Sequence, residues 1–371
     1  MKTSARTLAL AGLCWLAADM VLANPVGESV RSGSATFNRG PGTLTILQGS
    51  SRVAINWRDF SIAGGEVTRF VQPSSRSVAL NRVTTGNPSL LYGSLQANGR
   101  VYLINQNGIL VGPNGSINTR AFMGSTLDGP DEQLLKGARL TLSGNSSAAI
   151  RNEGTISALG GSVYLVAHTV DNAGSIRAPQ GQVGLVAASE VILHDTKGAV
   201  GVVAGRTTGP PSATGVNNSG LIEAASAQLQ AAGGNIYALA INNSGVVRAN
   251  TLVRENGRIL LKATGGNIRN TGTLSARNAH GQGGSVVVDA GHQAGTPTTV
   301  ENSGTMDARG AEGSGRGGRV QITGDQIQLG AQSRLDASGG AAGGTVLVGG
   351  DAHGANPAVQ NAQTTTMAEG A

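Results

Sequence analysis

The sequence predicts an all-β protein, a right-handed parallel β-helix (solenoid) with an N-terminal β cap. Three observations carry that prediction. A nine-residue pattern with Asn third and Gly fifth occurs six times along the chain. Each copy is followed, after a turn, by a second short run in which apolar residues alternate with polar ones. The 371 residues include 58 glycines but only 3% aromatics, which excludes an ordinary core of large interlocking side chains.

At the N-terminus, Lys2 and Arg6 precede an apolar stretch over residues 8–18, too short for a membrane-spanning helix. This is the pattern of a signal peptide over residues 1–23, with Val21, Leu22 and Ala23 before the cleaved bond and Asn24 as the first mature residue. Cys14, the single cysteine, follows Leu13, where a lipoprotein site requires a small residue. Its removal leaves no thiol, so the mature chain must be stable without disulfides. The net charge of +6 falls to +5 on cleavage. The arginines are scattered, with no basic stripe or interleaved aromatics, which argues against nucleic acid as a partner. No second apolar run follows, so an integral membrane protein is not expected.

Residues 24–140 form the expected cap. Phe37, Trp57, Phe60, Phe70, Tyr92, Tyr102 and Phe122 all precede residue 130, whereas only Tyr164 and Tyr237 follow it. A solenoid needs its first coil covered, both to bury apolar atoms and to block pairing with another chain. Strands are expected at 44–47, 51–56 and 101–104, and a short helical turn at 130–137.

Residues 141–350 carry the repeats. The first copy is Ile150-Arg-Asn-Glu-Gly-Thr-Ile-Ser-Ala158, and its asparagine recurs as Asn152, Asn172, Asn218, Asn243, Asn270 and Asn302. Short strands of this kind are unstable alone, but stacking at about 4.8 Å pairs their backbone groups with the coils on either side. Stacked asparagines then form a hydrogen-bonded ladder, and the Asn-x-Gly corners suit residues that tolerate left-handed backbone angles. The copies lie 20, 46, 25, 27 and 32 residues apart. Each spacing matches one coil except the 46, which suggests a degenerate coil near Val191, Ile192 and Leu193 and an outward loop at 207–212. Residues 343–351 read as one more coil, and 351–371 as a polar tail, either disordered or the mark of a truncated chain.

The N-terminal region resembles the secretion domain of two-partner-secretion exoproteins, the family that includes filamentous haemagglutinin. The matching segments are Ile55-Asn-Trp-Arg-Asp-Phe-Ser-Ile62, Phe70-Val-Gln-Pro73, Ala79-Leu-Asn-Arg-Val83, the block from Gly93 to Gly112, and Ser125-Thr-Leu-Asp128. Two family motifs carry over with departures: Asn87-Pro88-Ser89-Leu90, where the family often has Asn-Pro-Asn-Leu, and Asn105-Gln106-Asn107-Gly108-Ile109, where it has Asn-Pro-Asn-Gly-Ile. The resemblance implies export through the periplasm by a cognate outer-membrane transporter of the Omp85 type, with these two motifs as the transporter-recognition elements. It implies a secreted or cell-surface adhesin of a Gram-negative bacterium, binding host-cell or bacterial receptors or glycans. The alternatives are the carrier stem of a contact-dependent growth inhibition toxin and a β-helix polysaccharide-active enzyme.

No catalytic constellation stands out, so the chain is not expected to be an enzyme or to need a cofactor. Histidines 168, 194, 280, 292 and 353 share no metal-ligand spacing. The Gly349-Gly-Asp-Ala-His-Gly354 stretch lacks the repeated register of a calcium-binding β-roll. His194, Asp195 and Asp289 are isolated, where a β-helix lyase or glycosidase clusters its carboxylates.

Overall fold

The computed structural model describes residues 24–136, 139–196, 199–204, 212–232, 236–249, 257–277 and 281–371. The signal segment 1–23, with Cys14 and its cleavage site, lies outside the described residues, as does most of the 207–212 loop.

The chain starts antiparallel and then winds. Strand β1 (Ser29–Ser32) pairs antiparallel with β4 (Arg52–Trp57), and β2 (Ala35–Gly40) makes a hairpin with β3 (Thr43–Gln48). From there the pairing is parallel: β3 with β5 (Val67–Val71), and β4 with β6 (Val78–Val83). Next come β7 (Ser89–Leu91), β8 (Ser94–Ala97), β9 (Arg100–Ile104), β10 (Ile109–Val111), β11 (Ser116–Thr119) and β12 (Ala121–Ser125). The antiparallel strands occupy the end that a parallel ladder would otherwise leave open. Their interior is aromatic: Trp57 meets Phe37 and Phe60 edge-on at 5.7 and 5.4 Å.

Two sheets run along the solenoid, one of 22 strands and one of ten. In the smaller sheet Ile109, Ile150, Val170, Val216, Ile241, Ile268, Val300 and Ile327 occupy successive register positions. In the larger, Ile117, Ile156, Ile176, Ile222, Val247, Leu274 and Met306 do the same. These side chains are almost fully buried, and burying an aliphatic side chain contributes about 1.5–3 kcal/mol. The core is therefore made of files of similar aliphatics, which explains how it dispenses with large aromatics. The fold is the predicted β-helix.

Four features differ from the sequence reading. First, the 46-residue spacing hides no coil: Asn172 and Asn218 are direct neighbours, and their strands pair. Residues 190–196 instead leave the stack and join an antiparallel ribbon with β13 (Arg139–Ser143) and with Ala199–Ala204. Helix α1 itself spans Asp131–Lys136. Second, the corner glycines do not adopt left-handed angles; Gly154, Gly174, Gly220, Gly245, Gly272 and Gly304 are absent from the positive-φ positions. They are glycine because the coils approach so closely: a Cβ on Gly220 would lie 2.1 Å from the Gly174 carbonyl oxygen, and one on Gly245 2.2 Å from that of Gly220. Third, the polar tail contains an ordered strand, Thr364–Met367, which pairs parallel with Gln326–Leu329 because three consecutive β-branched threonines suit an extended outer coil. Fourth, parallel pairing crosses residue 140 without a break, since β10, β11 and β12 stack directly on repeat strands.

The ribbon and α1 cover part of the larger sheet's outer face. A second apolar layer forms there, with Leu80, Tyr102, Ile104, Met123 and Tyr164 packed against Leu134, Leu140, Leu142, Val191 and Leu193.

Candidate functional site

The two family-like motifs meet at one corner of adjacent coils. Ser89 and Ile109 are register partners of β7 and β10, and the Ser89 amide donates to the Gly108 carbonyl at 3.0 Å. Asn105, fully buried, joins the two turns. Its Nδ2 donates to the Asn87 carbonyl at 2.9 Å and to Ser89 Oγ at 3.0 Å. Its Oδ1 accepts from the Asn107 amide at 2.9 Å and Asn107 Nδ2 at 3.2 Å. Asn107 also donates to the Thr85 carbonyl at 2.7 Å. Gly108 takes φ +107°, a conformation a side chain would strain. Asn87, Pro88, Gln106 and Asn107 are exposed, while Leu90 is half-buried and Ile109 is core. The arrangement is thus a rigid, solvent-facing corner with its organising amide inside.

An ionic clamp braces the same corner. Arg82 on β6 donates through Nε and one terminal nitrogen to both Asp128 oxygens, each at 2.8 Å, and through the other to Asp131 at 2.7 Å. Burial works against the charge, yet the bonds to Asp128 and Asp131 outweigh it and hold the Arg82 pKa above its usual value. A cavity of about 290 Å³ opens between the clamp and the corner, lined by Arg82, Thr84, Thr85, Gln106, Asn107 and Asp128. Nearby, Trp57 Nε1 donates to Asn81 Oδ1 at 2.9 Å inside the cap. The conspicuous sequence segments around 55, 79, 87, 105 and 125 therefore interlock. Sequence reading picked out Asn105 and Asn107 but gave no role to Arg82, Asp128 or Thr85. Their link is long-range; Arg82 and Asp128 lie in matching segments, whereas Thr85 lies in none.

The asparagines of the repeat form a single file. Each Nδ2 donates to the Oδ1 of the next at 2.7 Å, from Asn152 through Asn172, Asn218, Asn243 and Asn270 to Asn302. Asn302 ends the file by donating to Ser333 Oγ at 2.6 Å, a member that the asparagine pattern missed. At the other end Val111 takes the place of an asparagine, so Asn152 Oδ1 has no donor. All six asparagines are buried.

Among the described residues no three His, Cys, Asp or Glu side chains converge as a metal site would require. Among them, too, no helix is long and apolar enough to cross a membrane.

The family model of the TPS secretion domain matches residues 23–276, well beyond the boundary expected at 140. The chain belongs to the two-partner-secretion exoprotein family. It is similar to the secretion domain of HMW1 from Haemophilus influenzae, whose crystal structure superposes with a TM-score of 0.69 at 26% identity, covering 93% of this chain and all of that one. It is also 39% identical over 104 residues to a heme/hemopexin-binding protein of Haemophilus influenzae strain Rd, covering 28% of this chain and 12% of that protein. A second Haemophilus influenzae heme/hemopexin-binding protein is 41% identical over 85 residues, or 23% of this chain and 9% of its own. The chain thus spans a small fraction of the curated relatives it matches. A two-partner-secretion exoprotein has a cognate outer-membrane transporter, through which members of the family leave the cell.

Proposed function

We propose that this chain is an adhesin-type exoprotein, or the secretion-competent N-terminal part of one, whose transporter reads the corner formed by residues 87–90 and 105–109. The observation that carries the proposal is the division of labour at that corner. Asn105 is consumed internally, leaving Asn87, Pro88, Gln106 and Asn107 presented on a fixed backbone. A turn pre-ordered in this way loses little entropy on binding. Residues 1–23 act as the signal peptide that delivers the chain to the periplasm, and outside the cell each coil folds on the one before it.

Co-expression with the cognate transporter, followed by assay of the medium, tests the export reading. Asn105→Ala and Asn107→Ala should each reduce export, and a signal-peptide deletion should abolish it. Normal export of both variants would refute recognition at this corner. Adhesion is tested by binding of the purified mature protein to cells and matrix glycans. Heme–hemopexin, named for the two relatives, belongs in the same panel; binding there alone would replace adhesion with ligand capture.

A further inference from the structure

A second cavity, remote from the asparagine corner in its chemistry, lies at the open edge of the outer apolar layer. It measures about 350 Å³ and is lined by Arg76, Arg100 and Arg120 together with Tyr102, Tyr164 and Leu140 among others, with no Asp or Glu among the described lining residues. Alternation on β9 explains the placement. Val101 and Leu103 point into the main core, so Arg100 and Tyr102 share the outer face. Tyr102, Met123 and Tyr164 are successive register neighbours, forming a continuous floor.

Arg82, Arg177, Arg269 and Arg309 each face a carboxylate. Among the described residues no ion pair involves Arg76, Arg100 or Arg120, so the described lining of the cavity carries a concentration of positive charge. Arg120 is also seated: its guanidinium lies over Gly160, where a Cβ would come within 2.0 Å of a terminal nitrogen and 2.3 Å of Cζ. Burial raises the Tyr102 pKa despite the neighbouring Arg100, which keeps a neutral hydroxyl at the floor.

We propose that this cavity binds a small organic carboxylate of about one ring in size. A planar guanidinium matches a carboxylate with two parallel hydrogen bonds, and Leu140, Met123 and Leu193 supply an apolar wall for the body of the ligand. The volume is at the lower end of the roughly 300–1,000 Å³ of small-molecule sites. The site is independent of the export reading, since it shares no residue with the asparagine corner.

Titration calorimetry on the purified mature chain tests the proposal with two acid–neutral pairs, glucuronate against glucose and benzoate against benzyl alcohol. At least one acid should bind tenfold or more tightly than its neutral partner, and which pair responds tells a sugar acid from an aromatic one. Arg120→Gln should weaken that binding at least tenfold with unchanged thermal stability. Gly160→Ala, which keeps every charge but displaces the Arg120 head, should also weaken it. Binding of neither acid, equal binding of acid and neutral partner, or full affinity in an Arg100→Gln/Arg120→Gln double variant would overturn the assignment.

Discussion

Asn105 has four hydrogen-bonding positions and all four are used within the chain. Replacing it with alanine strands the buried Ser89 hydroxyl and the Asn87 carbonyl, at about 1–3 kcal/mol for a buried group left unpaired. Asn107 is exposed and loses mainly its bond to Thr85, so Asn107→Ala should cost under about 1 kcal/mol in denaturant unfolding. If the transporter reads the exposed amide, Asn107→Ala will reduce export far more than its stability cost explains. Export that simply tracks stability across both variants would argue for a turn-forming role alone. Arg82 offers a parallel test. Arg82→Met keeps the stem but leaves Asp128 and Asp131 without their partner, and should destabilise by about 1–3 kcal/mol. An unchanged unfolding midpoint would show that the clamp is energetically idle.

Among the elements, the corner column and the asparagine file impose different penalties. Asn218→Ala breaks two 2.7 Å bonds at once, with Asn172 and Asn243, and leaves their amide groups buried and unpaired. Gly220→Ala leaves the file intact but pushes a methyl group into the Gly174 carbonyl, so overpacking of about 1–3 kcal/mol is the expected minimum. Thermal unfolding of both variants should show losses that add poorly in the double variant, because both act on the same coil contact. Farther along, Thr305–Asp307 and Arg334–Asp336 are parallel neighbours. Burial disfavours the charge on Asp336, but the Ser338 side chain and amide and the Arg334 and Arg309 guanidinium groups prevail and hold its pKa at about 2. Asp307 and Asp325 are lowered as well, against burial, chiefly by Arg309 and by Thr298 respectively. A carboxylate depressed by folding adds stability above its unfolded pKa, near 3.8. That stability is lost as pH falls from about 3.8 towards 2. Hydrogen exchange at pH 3 and below should therefore open the coils after residue 299 before the cap; acid opening that starts at the cap would contradict this ordering.

For the molecule as a whole, stability is nearest-neighbour and one-dimensional, with the largest fully buried side chains, Trp57, Phe60, Phe70 and Phe122, gathered in the cap region. At neutral pH, amide protection should be greatest in β3, β4 and β6 and fall towards Thr364–Met367, whose residues are all exposed; uniform protection would indicate a single cooperative unit. The repeat, the aliphatic files and the aromatic cap were legible in the sequence because a solenoid writes one coil's requirements again in each copy. Asn152 and its five successors recur at the same place in each copy for the same reason. The 46-residue gap was misread because an excursion and a degraded coil look alike until pairing is known. Position in the stack decided why Gly220 is glycine, since a close approach between coils and a left-handed turn select the same residue. Arg82 with Asp128, the burial of Asn105, and the gathering of arginines around Tyr102 all depend on contacts between segments tens of residues apart. Local sequence determined the coil and its period; only tertiary stacking decided which side chains face each other across coils, and hence which amides are spent inside and which are left for a partner.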